Sequence, residues 1–89
     1  MYEKISPETD QEIAALLRAN RKCMGMTQQQ AANKAGLRLR HYTKFECCER
    51  SLLAASFNTT MSVLEALGID PDDFVKKYVM DTWPPQEMV

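Results

Sequence analysis

The sequence predicts an all-α fold, a compact set of five short helices in a chain of 89 residues. Ser6 and Asp70 are each followed by a proline and then by an acid, the pattern of a capping residue before the first turn of a helix. Apolar residues in between recur at intervals of three and four, as on a helix with one buried face. Glycines follow two of these stretches, where helices commonly end. At this length, a single core must serve the whole chain.

The first and fourth helices follow from these apolar stripes. The first is expected from Pro7 to about Lys22, and its buried stripe comprises Ile13, Leu16, Leu17 and Cys23. Ser56 caps the fourth, which should end at Gly68. The buried stripe of the fourth helix is expected to comprise Phe57, Thr60, Met61, Val63, Leu64 and Leu67.

The fifth helix, expected over residues 70–79, carries aromatic side chains. Phe74 fits the core. Together with Tyr78 and Trp83, it supplies more aromatic surface than the docking of one short helix needs, so we expect this region to contact a second copy of the chain. The prolines directly after Trp83 cannot continue the helix, which leaves residues 81–89 as a short tail.

The stretch 27–46 organises the chain as two short helices joined by a tight turn. Thr27 and Gln30 have the spacing of a capping box, in which each side chain accepts a hydrogen bond from the backbone N–H of the other residue. Small residues on one face of this helix would let another helix approach closely: Ala31, Ala32 and Ala35. Gly36 should end the helix in the left-handed conformation.

The helix after this turn has one packing face and one basic face. It is expected to begin at about Leu39 and could extend as far as about Glu49, and the spacing of Tyr42 and Phe45, with Cys48 if the helix reaches it, directs them to the core. Its remaining surface holds Arg38, Arg40, His41, Thr43 and Lys44. A helix that is held on one side and free on the other can enter a DNA groove.

From Arg21 to Glu46, the sequence resembles the lambda-repressor-like family, which includes lambdoid phage repressors, Cro and the bacterial Xre-type regulators. The residues that match the family pattern occur without a gap: Arg21, Thr27, Gln28, Ala32, Gly36, Leu37, Lys44 and Glu46. A looser resemblance continues through the fourth helix. The resemblance implies a helix-turn-helix at about 27–48 in a DNA-binding domain over 1–80, followed by the tail at 81–89.

The sequence departs from the family pattern at two places. Cys47 and Cys48 stand where the family often has a glycine that ends its recognition helix, so the end of this helix is open. The segment from 50 to 56 is also about three residues longer than the common pattern. Leu52 and Leu53 in this longer loop are expected to turn inward.

The resemblance implies a sequence-specific regulator of transcription that binds double-stranded DNA as a homodimer and represses by occupying its site. The DNA-binding residues would be Gln28, Arg38, Leu39, Arg40, Thr43 and Lys44. Of these, Leu39, Arg40 and Lys44 would meet base edges, while Gln28 would meet a phosphate and could brace the base-reading side chains. Arg40 suits guanine, Lys44 suits guanine or phosphate, and Leu39 suits a thymine methyl group. The resemblance also implies a structural ion pair between Arg21 and Glu46.

The charge distribution favours a nucleic-acid partner although the net charge is only -1. Residues 18–50 contain eight basic and two acidic side chains, a local charge of +6, whereas residues 65–89 carry a local charge of -4. Such an asymmetry is typical of a protein with one side towards DNA and one side away from it.

Enzymatic function is not expected, because the sequence has no phosphate-binding glycine loop and no nucleophile set. A lone histidine and three cysteines without a Cys-x-x-Cys pair argue against a metal site, and no cofactor is implied. We expect the three cysteines, Cys23, Cys47 and Cys48, to be reduced thiols that fill small apolar sites. A redox role for Cys47 beside the basic face is a weaker alternative.

The absence of a long apolar run or a signal peptide predicts a cytoplasmic protein without a membrane partner. An alternative function is an antitoxin-like or other protein-interaction module that binds DNA only weakly. Weak, salt-insensitive DNA binding together with a tight protein partner would distinguish it.

Overall fold

The computed structural model describes residues 7–80. Within this range the chain forms five α-helices, α1 (Pro7–Cys23), α2 (Gln28–Ala35), α3 (Leu39–Glu46), α4 (Phe57–Ala66) and α5 (Pro71–Phe74). A 3-10 turn occupies Leu52–Ala54, and α5 continues as a π-helix at Val75–Met80. The described range contains no strand, so the all-α prediction is confirmed. The expected cap at Ser6, the side chain of Trp83 and the tail 81–89 lie outside the described residues.

Local capping chemistry sets the helix boundaries as the sequence predicts. Thr27 Oγ1 accepts a hydrogen bond of 3.1 Å from the backbone N–H of Gln30, and Gln30 Oε1 accepts one of 2.8 Å from the N–H of Thr27. Gly36 follows α2 with φ +73°, the left-handed conformation that glycine adopts without steric cost. Ser56 and Asp70 accept hydrogen bonds from the first turns of α4 and α5.

The core lies where α2 meets α3 and α4 and where α1 packs against α3. Ala31 and Ala32 are completely buried, and the absence of larger side chains lets α2 lie close to its neighbours. The largest fully buried side chains are Ile13, Leu17, Tyr42, Glu46, Val63, Leu64 and Leu67. Leu52 is also buried and Leu53 half-buried, so the prediction that the longer loop turns inward is confirmed.

The end of α3, which the sequence left open as far as about Glu49, lies at Glu46. Cys47 is its C-cap, and Cys48 takes φ +66°. Cys48 therefore adopts the left-handed conformation that a glycine would adopt more readily. The backbone N–H groups of Glu49 and Arg50 then close the turn onto the carbonyl of Lys44, at 2.9 and 3.2 Å.

The prediction that the cysteines fill apolar sites is wrong. Cys23, Cys47 and Cys48 are free thiols, and all three are exposed. Cys23 lies at the last position of α1, beyond its buried stripe. Cys48 lies beyond the end of the helix, and its exposed thiol is 3.6 Å from the backbone oxygen of Asp10 in α1.

Two aromatic residues lie in different environments from those predicted. Phe57 is 77% exposed, because the first turn of α4 extends past the core and burial begins farther along the helix at Val63. Tyr78 is buried, and its ring lies 5.1 Å from that of Phe74. The prediction that Phe74 fits the core is confirmed, and Tyr78 is buried beside it, so neither ring is available for a second copy. The contact of the C-terminal segment with a second copy stays a prediction, since Trp83 lies outside the described residues.

The contrast within α4 predicts very different responses to truncation. Leu64 is 1% exposed, so Leu64→Ala should lower the free energy of unfolding by about 2–5 kcal/mol through lost contacts and a residual cavity. Phe57→Ala on the same helix should change it by less than about 0.5 kcal/mol. Chemical denaturation measures both. Equal losses for the two variants would contradict this assignment of the buried face.

The left-handed residue after α3 predicts a stabilising substitution. Cys48→Gly should raise the free energy of unfolding by about 0.5–1 kcal/mol, since relief of the left-handed strain exceeds the added flexibility of the unfolded chain. Cys47→Gly is the matched control. Cys47 has φ -107°, so glycine there relieves no strain and should lower stability. A loss of stability in both variants would mean that Cys48 is not strained.

Candidate nucleic-acid interface

A three-residue turn, Gly36 to Arg38, orients α3 relative to α2. The backbone N–H of Gly36 donates to Asn33 O at 3.1 Å, and that of Leu37 donates to Ala32 O at 2.9 Å. Leu37 is half-buried against the core, which fixes the middle of the turn. The chain consequently leaves α2 and enters α3 with little freedom at the junction.

One face of α3 is committed to the protein interior. Tyr42, Phe45 and Glu46 are buried, and Phe45 also stacks at 5.4 Å on the half-buried ring of His41. The opposite face is directed outward. The structure therefore holds α3 firmly along one side and leaves the other side available.

Five of the six predicted DNA-binding residues lie on this outer part of α3 or directly before it. Arg38, Leu39 and Arg40 are exposed, whereas Thr43 and Lys44 are half-buried. Among the described residues, the side chains of Arg38, Arg40 and Lys44 have no ion pair or hydrogen-bond partner. Their donors are thus free to bind a ligand.

The carboxylate of Glu46 joins three helices. Glu46 is 2% exposed, and its Oε2 accepts from Arg21 Nε of α1 at 2.7 Å while its Oε1 accepts from Arg21 Nη2 at 3.2 Å. Gln28 Nε2 of α2 donates to Oε1 at 3.0 Å, and the hydroxyl of Tyr42 donates to Oε2. Arg18 of α1 adds a hydrogen bond to the backbone carbonyl of Glu46. The ion pair implied by the family resemblance is present, within a larger network.

The network shifts the pKa values of its members. Burial alone would raise the pKa of Glu46, but the hydrogen bonds from Arg21, Tyr42 and Gln28 outweigh burial and hold this pKa below its usual value. Burial and the hydrogen bond to Glu46 raise the pKa of Tyr42. The hydrogen bond to Glu46 also raises the pKa of Arg21. At neutral pH the network therefore contains a carboxylate, a guanidinium and a protonated phenol.

Gln28, the sixth predicted residue, binds within the protein, and its contact with phosphate stays a prediction. The resemblance implied a contact with phosphate, whereas its amide nitrogen binds the buried carboxylate and its side chain is half-buried. The polar contacts of Tyr42 and Arg18 were not predicted from the sequence. The Tyr42 contact has a signal in the sequence, because Tyr42 and Glu46 are four residues apart on one helix and such pairs are neighbours.

Other kinds of site find no support within residues 7–80. No group of three or more His, Cys, Asp or Glu side chains there could hold a metal ion. Nor does that range contain a helix with the length and apolar character required to cross a membrane.

No family model, curated protein or solved structure matches this chain.

The buried carboxylate predicts a pH-dependent stability. At pH 7, Glu46→Gln should lower the free energy of unfolding by about 3 kcal/mol, because it leaves the guanidinium of Arg21 without a counter-charge. A carboxylate with a lowered pKa in the folded state stabilises the fold above its unfolded pKa of about 4.3, and this contribution is lost as the pH falls through the folded pKa. The difference in the free energy of unfolding between the parent protein and Glu46→Gln should therefore become smaller at acidic pH.

The measurement is urea denaturation of both proteins from pH 7 to pH 3. Glu49→Gln is the matched control, since Glu49 is exposed and makes no side-chain contact among the described residues. If the difference in the free energy of unfolding stayed the same across this pH range, the charge of Glu46 would contribute nothing to stability.

Proposed function

We propose that this protein binds double-stranded DNA sequence-specifically and regulates transcription by occupying its site, with α2 and α3 acting as a helix-turn-helix. One observation carries the proposal: α3 is fixed along its inner face, while Arg38, Arg40 and Lys44 extend from its outer side without partners in the described part of the chain. Fixed position gives geometric discrimination between bases, and free cationic donors supply affinity for DNA.

The size of α3 suits the major groove of DNA. An α-helix with its side chains is about 10–12 Å across, which the roughly 12 Å width of the groove admits, and the eight residues of α3 are about 12 Å long. The guanidinium of Arg40 can donate two parallel hydrogen bonds to the O6 and N7 atoms of guanine. Arg38, directly before the helix, is placed to meet the phosphate backbone.

The charge distribution supports the same orientation. Residues 18–50 carry the local charge of +6, of which the buried pair of Arg21 and Glu46 contributes nothing net. Acidic residues Asp70, Asp72 and Asp73 are exposed on and beside α5, which packs against α4. Phosphates would therefore be attracted to the basic surface that includes Arg38, Arg40 and Lys44 and repelled from the acidic start of α5.

A homodimer on two half-sites remains the expected assembly, because a short recognition helix contacts only a few base pairs. Phe74 and Tyr78 are in the core, so the interface must use other residues. A cytoplasmic location fits the three free and exposed thiols, since a reducing compartment keeps such groups from pairing.

Arg40 provides the direct test. Arg40 is exposed and without a side-chain partner in the described range, so Arg40→Ala should leave stability unchanged. Affinity for a duplex enriched from a random library should fall by about 1–3 kcal/mol, and preference at one base pair should relax. Fluorescence titration against enriched and scrambled duplexes, at two salt concentrations, measures both effects.

Two further variants calibrate this experiment. If Lys44 contacts only phosphate, Lys44→Ala should weaken binding to both duplexes equally. It should also lower the slope of log binding constant against log salt concentration by about 1. Lys76→Ala removes an exposed cation of the C-terminal helix and should change neither the affinity for DNA nor its salt dependence. If Arg40→Ala binds both duplexes like the parent protein, α3 does not read bases. Weak, salt-insensitive binding would then favour the protein-interaction module.

A further inference from the structure

The outer face of α3 is divided lengthwise into two stripes of different chemistry. Side chains four residues apart are neighbours on a helix, so Leu39 lies beside Thr43 and Arg40 lies beside Lys44. The second stripe is cationic. The first begins with Leu39, which is 39% exposed and is the one exposed large apolar side chain within the described residues 39–46.

Thr43 makes the first stripe more apolar than its residue type suggests. Its hydroxyl donates a hydrogen bond of 3.2 Å to the backbone carbonyl of Arg40 on the same helix. The hydroxyl hydrogen is therefore already used, and the γ-methyl group remains for contact. The stripe of Leu39 and Thr43 thus presents methyl groups beside the free donors of Arg40.

The major groove offers one matching apolar feature, the methyl group on C5 of a pyrimidine. Thymine carries it and unmodified cytosine does not, whereas 5-methylcytosine has it again. We infer that Leu39 and Thr43 bind a C5 methyl group next to a guanine bound by Arg40. The protein thereby distinguishes thymine and 5-methylcytosine from pyrimidines without the methyl group. This inference rests on the proposed function.

Leu39 is not among the side chains that form the hydrophobic core or pack against it. The interior contacts of α3 come from Tyr42, Phe45 and Glu46, and the start of the helix has no side-chain cap, since Arg38 makes no capping hydrogen bond. The exposed part of the Leu39 side chain is unfavourable in water and would be buried against the methyl group of a base. The neighbouring cations would meanwhile attract the DNA phosphates. Leu39 is therefore the specificity-determining residue of the stripe.

The test begins with a duplex enriched by the parent protein from random sequences. Each thymine is replaced singly by deoxyuridine, which removes only the methyl group. At one position in each half-site, the affinity of the parent protein should fall about fourfold, the factor that corresponds to burial of one methylene-sized group. At the same position, 5-methylcytosine paired with guanine should bind about fourfold more tightly than cytosine paired with guanine.

Two variants with similar starting exposure separate a specific contact from a general loss. Leu39→Ala should bind thymine and uracil duplexes equally, with its thermal unfolding unchanged. Val75→Ala, which truncates a side chain 38% exposed on the C-terminal helix, should keep the fourfold difference. Thr43→Ser, which keeps the hydroxyl and removes the methyl group, should reduce the difference.

The outcomes distinguish this inference from the proposed function. If uracil replaces thymine at every position without effect, or if Leu39→Ala keeps the discrimination, the methyl contact is overturned, while a loss of binding in Arg40→Ala would still support DNA recognition by α3. If no duplex is enriched, or if Arg40→Ala binds like the parent protein, the proposed function fails and the methyl contact fails with it.

Discussion

The carboxylate of Glu46 is the group on which the arrangement of the three N-terminal helices depends. Arg21 of α1 and Gln28 of α2 donate to it, as does Tyr42 within α3. Burial of a carboxylate lowers the stability of the fold unless its oxygens accept hydrogen bonds from nearby donors. The donors on the three helices therefore act together to make the burial of Glu46 favourable. Any shift of α3 along or away from α1 and α2 would break several of these hydrogen bonds together.

This constraint acts together with packing of small residues. Ala31 and Ala32 let α2 lie close to its neighbours, and a close approach is what brings Gln28 within reach of Glu46. Side-chain volume thus controls a polar contact at the other end of the same helix. Removing the carboxylate would leave the alanine packing in place but would release the angle at which α3 leaves the turn.

The turn after α3 has a non-glycine residue, Cys48, in a backbone conformation that glycine adopts more readily. Gly36 takes its left-handed conformation freely, whereas Cys48 takes a similar one with a side chain attached. The buried network one turn earlier offers an explanation, because Glu46 is already fixed on both its side chain and its backbone carbonyl. The chain must turn directly after it, whichever residue follows.

Rigidity on the inner side of α3 and freedom on the outer side have one origin. Tyr42, Phe45 and Glu46 hold the inner face of α3, so the cationic side chains on its outer side need no internal partners. Free cations at fixed positions are suited to recognition, because little conformational entropy of the backbone is lost on binding. A methyl-bearing stripe beside them would add discrimination that charge alone cannot provide.

The sequence by itself determined the helix boundaries that depend on local chemistry. Thr27, Ser56 and Asp70 cap helices through bonds that span two or three residues, and Gly36 ends a helix by its own backbone preference. The family resemblance also identified Arg21 and Glu46 as partners. Such features need no knowledge of distant parts of the chain.

Only the tertiary structure decided which members of a periodic pattern are buried. Phe57 has helical spacing but extends past the end of the core, while Tyr78 is covered although an equally regular pattern could face a partner. The inward direction of Gln28 likewise depends on where Glu46 lies in space, 18 residues farther along the chain. Periodicity gives the face of a helix, but burial depends on what the other helices place against that face.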